Sequence, residues 1–128
     1  MLQEQIDAKR IIGVSVCTRL REEIEKLGLI NEGQSNYPYY HTASFTLVKD
    51  PYTGDTNLTG YWYNKNNQRI ERIGRLQFNS DGSFYAEYDV IKAHPKKPDW
   101  FIDAITVWGR DELIKAEARL LPISETSS

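Results

Sequence analysis

The sequence predicts one small α+β domain, in which helices cover an antiparallel sheet in the order α-β-β-β-β-α-β. Three observations carry this prediction. Apolar residues recur every three or four positions near the N-terminus, four central segments alternate between apolar and polar residues, and turn formers separate those segments. Consecutive strands joined by short turns pair antiparallel, and helices cover one face of such a sheet. We expect four to five strands, an N-terminal helix and a second helix after the fourth strand.

The first predicted element is a helix that ends at Gly28. Its apolar stripe consists of Ile12, Val16, Leu20, Ile24 and Leu27. Helix formers fill residues 19–27, and glycine suits the left-handed position that follows a helix. The start of the helix stays open, because residues 11–16 are β-branched around Gly13 and also fit a strand.

Four alternating segments are the predicted strands. They span residues 39–48, 58–63, 69–78 and 84–90. Segments rich in Asn, Asp, Gly, Ser or Pro precede and separate them, at residues 31–38, 50–55, 66–67 and 79–82. In the third strand Ile70 and Ile73 break the alternation, which predicts a β-bulge near residues 72–74.

The last third of the chain predicts a helix and then an ambiguous segment. Pro98 and Asp99 suit a first helical turn, and Gly109 suits the end. The stripe between them, typical of a helix face that packs on a sheet, is Trp100, Phe101, Ala104, Ile105 and Trp108. Residues 113–121 alternate like a strand but contain helix formers, and we favour a fifth strand.

Composition is that of an ordinary globular protein. The 128 residues suffice for one core, and 40% are hydrophobic and 27% charged. No apolar run reaches the roughly 18 residues of a membrane helix, and residues 1–5 lack the layout of a signal peptide. Because Cys17 is the single cysteine, no internal disulfide is possible. We expect one domain over residues 1–128, frayed at 1–5 and 123–128, in the cytoplasm and away from membranes.

Catalytic and metal-binding patterns are missing from the sequence. His41 and His94 lie far apart and have no paired ligand at helical spacing. Cys17 falls on the apolar side of the first helix, where cysteines serve in packing. No Gly-x-Ser-x-Gly elbow, phosphate loop or dinucleotide fingerprint occurs. We therefore predict no cofactor, no metal and no catalytic residue.

The eight tyrosines are the most distinctive feature. In the predicted strand phase, several lie beside polar residues on the sheet face away from the helices. The predicted binding residues are Tyr40, Tyr61, Tyr63, Arg75, Gln77, Tyr85 and Glu87. Tyrosine offers a flat apolar ring and a hydroxyl, which suits a partner protein, a stacked base or a sugar. Sheet stabilisation explains tyrosines in strands equally well, and a one-residue slip of the second strand would expose Trp62 in their place.

Three functions are open. We favour a non-enzymatic binding or assembly module that presents the tyrosine-bearing face to a protein partner or to a second copy. Single-stranded nucleic-acid binding on the same face is the first alternative, although a net charge of -2 opposes contact with phosphates. The second is a small-molecule binding protein or enzyme with a pocket between sheet and helix.

Three segments resemble a small uncharacterised family of cyanobacterial proteins. They are residues 60–64, 73–90 and 98–101. This resemblance implies a cyanobacterial origin and carries no catalytic motif. A four-stranded sheet followed by a helix is also similar to the Whirly-type single-stranded-DNA-binding fold, which implies binding on the sheet surface and dimerisation through helices. The acidic net charge and the lack of a lysine-rich strand face depart from that group.

Overall fold

A computed structural model describes residues 1–29, 37–66 and 69–123. Two helices and a 3-10 turn at Tyr40–Thr42 precede six strands. The helices are α1 (Leu2–Ala8) and α2 (Arg10–Lys26). The strands are β1 (Ser44–Lys49), β2 (Thr56–Asn66), β3 (Arg69–Phe78), β4 (Ser83–Ala93), β5 (Trp100–Arg110) and β6 (Leu113–Pro122). They form one antiparallel sheet in chain order, so each strand pairs with the next one along the sequence.

The predicted end of the first long helix is confirmed at Gly28. Its φ of 77° is left-handed, its amide donates to the Glu25 carbonyl, and the Leu29 amide donates to the Ile24 carbonyl. These two hydrogen bonds are those of a Schellman motif. The open question at residues 11–16 resolves to helix, because α2 begins at Arg10. The tail at 124–128 and most of the loop at 31–38 lie outside the described residues.

The antiparallel sheet and two local predictions within it are confirmed. The turn at residues 79–82 joins β3 to β4 and places Phe78 opposite Phe84. In β3 the register shifts as predicted, because Trp62 lies opposite Gly74 and Tyr63 opposite Arg72. Ile73 is therefore the extra residue of a bulge. Strands β2 and β3 pair antiparallel up to Asn66 and Arg69, and residue 67 of the reversal predicted at 66–67 lies outside the described residues.

The helix predicted after the fourth strand is wrong. Residues 100–110 form β5, so the sheet has six strands instead of four or five, and both helices precede it. The apolar residues of this segment have the spacing of a helix face in the sequence, whereas its β-branched residues favour a strand. In the strand the predicted stripe is divided: Ile105 projects to one face of the sheet, and Ala104 and Trp108 project to the other. A second bulge shifts the register with β6 between Ile102 and Ala104. The strand favoured for residues 113–121 is confirmed as β6.

Helix α2 packs against one face of the sheet, which we call the inner face. The buried residues of α2 are Gly13, Val16, Cys17, Leu20 and Ile24. The inner-face side chains in the same core include Leu58, Trp62, Leu76, Phe84, Ile105 and Val107. Since side chains alternate along a strand, the residues between these project to the opposite side, the outer face.

Tyr40 belongs to the core, and its predicted place on the outer face is wrong. Strand β1 begins at Ser44 because the preceding residues form the 3-10 turn, in which the Thr42 hydroxyl lies 2.8 Å from the Tyr37 carbonyl. Tyr40 is 5% exposed, and its hydroxyl donates to the Ile6 carbonyl at 2.6 Å. Its ring lies so close to α2 that a Cβ added at Gly13 would overlap it. Gly13 is therefore required by packing.

We predict that Gly13→Ala destabilises the protein, although alanine favours a helix over glycine by about 1 kcal/mol. Overlap with the Tyr40 ring forces a shift that costs roughly 1–3 kcal/mol. Urea unfolding followed by circular dichroism measures the change. Ser15→Ala, on the exposed side of the same helix, is the control and changes stability little. In a Tyr40→Ala background Gly13→Ala becomes neutral or stabilising; the same loss in both backgrounds would refute the contact.

Candidate binding surface

The strand register brings residues from all six strands together on the outer face. Two rows of directly opposed residues cross the sheet. The first is Thr46, Thr59, Gln77, Tyr85, Trp108 and Lys115. The second is Ser44, Tyr61, Arg75, Glu87, Thr106 and Glu117. Residues opposed in this way have their side chains within contact distance, so the rows form one continuous surface.

The residues predicted from sequence fall on this surface, with Tyr40 as the exception. The outer face holds Tyr61, Tyr63, Arg75, Gln77, Tyr85 and Glu87. Tyr61, Gln77 and Tyr85 are half-buried, whereas Tyr63 and Arg75 are exposed. A half-buried tyrosine keeps its ring ordered by neighbours while part of it stays available for contact.

Sequence reasoning missed Trp108, Arg72 and Arg119. Trp108 lies directly opposite Tyr85, on the face away from the helices. Its assignment to a helical stripe hid this position, although the β-branched Thr106 and Val107 just before it are a strand signal. Arg72 was missed because the bulge at Ile73 changes which residues of β3 face outwards.

Arginine side chains lie against the tyrosine rings of the outer face. The Arg72 guanidinium is 4.9 Å from the centre of the Tyr61 ring, and that of Arg75 is 5.2 Å from the Tyr85 ring. The rings of Tyr61 and Tyr63 are 6.2 Å apart. Cation–π contacts at such distances hold both partners in place. The aromatic part of the surface is thus ordered before anything binds to it.

Arg119 links three strands at one end of the surface. Its Nε donates to Asp103 at 2.6 Å, and its Nη2 donates to Glu87 at 3.1 Å. Asp89 lies beside this group, and its pKa is raised. Burial is the largest cause, and the negative charges of Glu87 and Asp103 add to it, while Arg119 opposes the rise. Arg119 therefore serves two carboxylates, and the opposing charges of Arg119 and Arg72 do not offset the rise at Asp89.

Positive and negative charges balance among the described residues in the middle of the outer face. The cations along the rows and the adjoining cluster are Arg72, Arg75, Lys115 and Arg119. The anions are Glu87, Asp89, Asp103 and Glu117. A surface that binds nucleic acid through phosphates carries an excess of Lys and Arg. The charged groups named here show no such excess of Lys and Arg.

Other reactive groups of the described residues do not form a second site. Cys17 is buried in the core, and burial raises the pKa of its thiol to about 12. In residues 1–29, 37–66 and 69–123, no three His, Cys, Asp or Glu side chains are placed to hold a metal ion. Across the same ranges, neither helix combines the length and the apolar character needed to cross a membrane.

Comparison with known proteins adds no relative. No protein-family model, curated protein or solved structure matches this chain. The similarities to a cyanobacterial family and to the Whirly-type fold therefore stay predictions, and the geometry of the outer face is the basis for assigning a function.

We predict that Cys17 does not react with a thiol reagent in the folded protein. Both its burial and the absence of thiolate at neutral pH protect it. Absorbance after addition of a disulfide reagent measures the rate, with and without denaturant. Ser15→Cys, two residues away on the exposed side of α2, provides a control thiol that reacts at once. Equal rates for Cys17 in folded and denatured protein would contradict its placement.

We predict that Asp89→Asn stabilises the protein at neutral pH by about 0.5 kcal/mol, as expected for partly exposed charges. Because folding raises the pKa of Asp89, its protonated form contributes to the free energy of unfolding. This stabilisation is fully present below the ordinary pKa of 3.8 and is lost as the pH rises through the folded-state pKa. The gain should therefore vanish in acid. Thermal unfolding on both sides of that window tests this, with Glu25→Gln on the exposed side of α2 as control. A gain that is the same in acid would rule out the charge effect.

Proposed function

We propose that the protein is a non-enzymatic binding module that holds a protein partner on the outer face of its sheet. One observation carries the proposal: Tyr61, Tyr85 and Trp108 stand on the same face, and Arg72 and Arg75 lie against the two tyrosine rings. These aromatic residues and arginines, taken together, are the binding surface.

The composition of the binding surface supports a protein partner. Tyrosine, tryptophan and arginine are the residues most enriched among those that contribute binding energy at protein interfaces, and lysine is depleted there. The two rows contain one lysine, Lys115, which lies on the edge strand β6.

The order already present in the surface also favours binding. Immobilising a side chain on association costs roughly 0.5–1.5 kcal/mol. The rings of Tyr61 and Tyr85 are held by their arginine neighbours, and both are half-buried between cross-strand neighbours. Much of that cost is met during folding, so the contacts of a partner translate more fully into affinity.

The alternatives have weaker support. Single-stranded nucleic acid would stack on the same rings, but the balanced charge supplies no general attraction for its phosphates. A small molecule would need space between sheet and helix. The middle of that layer is filled by Leu20, Trp62, Leu76 and Ile105, which are fully buried. The cleft of about 470 Å³ between the start of α2 and the sheet, beside Ile12 and Phe84, is partly open to solvent and lies at the end of this layer.

We predict that the triple variant Tyr61→Ser, Tyr85→Ser and Trp108→Ser keeps the fold and loses partner binding by a hundredfold or more, since hot-spot residues contribute about 2 kcal/mol each. Quantitative affinity capture from extract of the source cells, with mass spectrometry, compares it with the wild type. Circular dichroism verifies that it folds.

The control carries Ile11→Ser and Val14→Ser, which lie exposed on α2. It should retain the partners that the triple variant loses. A folded triple variant that captures the same proteins as the wild type would remove the binding surface. Tight binding of an oligonucleotide that weakens steeply with salt would replace a protein partner with nucleic acid.

A further inference from the structure

Strand β6 is a long edge strand with one free side. It runs from Leu113 to Pro122 and, within the described residues, pairs with β5 alone. The opposite edge, β1, is shorter, with six residues. An edge strand presents a row of unpaired N–H and C=O groups, which is a template for another strand.

Strand β6 lacks two of the usual protections against edge pairing, a bulge of its own and an internal proline. Its burial alternates regularly from end to end, because the extra residue of the bulge belongs to β5. Pro122 is its last residue, so proline does not interrupt the strand before that point. Leu113 is 62% exposed. Natural sheets also blunt an edge with charged side chains. The charges of β6 alternate in sign at Lys115, Glu117 and Arg119, so they can attract as well as repel a second strand.

We propose that a second copy of this chain pairs with β6, antiparallel and about a two-fold axis at Ala116. An axis perpendicular to the sheet keeps both inner faces on one side. Since side chains alternate, opposed residues must then share a face, and the axis must pass through a residue of the strand. The four positions nearest the middle of β6 are Ala116, Glu117, Ala118 and Arg119. An axis at Arg119 would set the two Arg119 side chains opposite each other, which leaves Ala116, Glu117 and Ala118.

The charges on β6 select among these three registers. With the axis at Ala116, Lys115 lies opposite the partner's Glu117, and this attractive pair occurs twice. With the axis at Glu117, two glutamates oppose each other, and Lys115 faces the partner's Arg119. Opposite charges across paired strands stabilise, and like charges destabilise, by roughly 0.2–1 kcal/mol per pair. The register at Glu117 is therefore disfavoured.

The register at Ala118 depends on a side chain that is already engaged. It would place Glu117 opposite the partner's Arg119. Arg119 donates within its own chain to Asp103 and Glu87. Lys115 and Glu117 make no ion pair within the described residues, so their charges are available to a second copy. The axis at Ala116 uses the available charges.

Edge pairing would join the two outer faces into one continuous surface. It does not depend on the proposed function, because it uses the free side of β6 and the charges there instead of the aromatic rings. Failure of one would leave the other untouched, and the experiments are separate.

Reversal of charge tests the register directly, by sedimentation velocity or light scattering over a concentration series. The wild type should self-associate to a dimer. Lys115→Glu places glutamates opposite glutamates, and Glu117→Lys places lysines opposite lysines, so each single variant should associate about tenfold more weakly or worse. The double variant K115E/E117K restores both attractive pairs and should dimerise like the wild type.

An equimolar mixture of the two single variants gives a second, independent readout. In a mixed dimer both cross-strand pairs are glutamate against lysine, so the mixture should recover the dimer that neither variant forms alone. Lys92→Glu and Glu71→Lys, the same charge changes on exposed residues of β4 and β3, should leave association unchanged. A wild type that stays monomeric at high concentration, or a dimer indifferent to K115E, overturns the proposal.

Discussion

Burial of Trp62 determines which way the side chains of the sheet project. Its indole is fully buried against the core, its Nε1 donates to the Tyr39 carbonyl at 3.0 Å, and its ring meets Tyr88 edge-on. Burying a side chain of this size contributes several kcal/mol, and the hydrogen bond satisfies the one polar atom of the ring. A shift of one residue in β2 would place the indole in water. The outward position of Tyr61 and Tyr63 is therefore a consequence of the inward position of Trp62.

Bulges then redistribute residues within this phase. The extra residue Ile73 in β3 brings Arg72 to the outer face beside Tyr61, and Gly74 follows where a side chain would collide with the Glu87 carbonyl. In β5 the irregularity near Asp103 places its carboxylate within reach of Arg119 on the neighbouring strand. Two of the three register shifts in the sheet thus supply charged groups that a regular sheet would direct elsewhere.

Local signals in the sequence were sufficient to predict features that depend on a single strand or turn. The glycine after α2, the hairpin between β3 and β4, and the bulge near Ile73 each rest on a few neighbouring residues. Strand β5 and Tyr40 could not be predicted in this way. In β5 the apolar residues have helical spacing in the sequence although both faces of the strand are covered in the middle. The Tyr40 ring packs in the core against Gly13, which is distant in sequence. Most of the binding surface was predictable because side chains alternate between the two faces of a strand. Trp108 was not predicted because its segment was assigned to a helix.

Strand β6 connects the two proposals energetically. Lys115 and Glu117 stand on the outer face, in the same rows as Trp108 and Tyr85, and also on the edge where a second copy would pair. Arg119 is held by Asp103 and Glu87 and so leaves these two charges uncompensated within the chain. A partner on the outer face that contacts Lys115 or Glu117 competes with edge pairing, whereas one that spans both copies strengthens it. Because such coupling is reciprocal, dimerisation would alter the affinity for the partner by the same factor that the partner alters dimerisation.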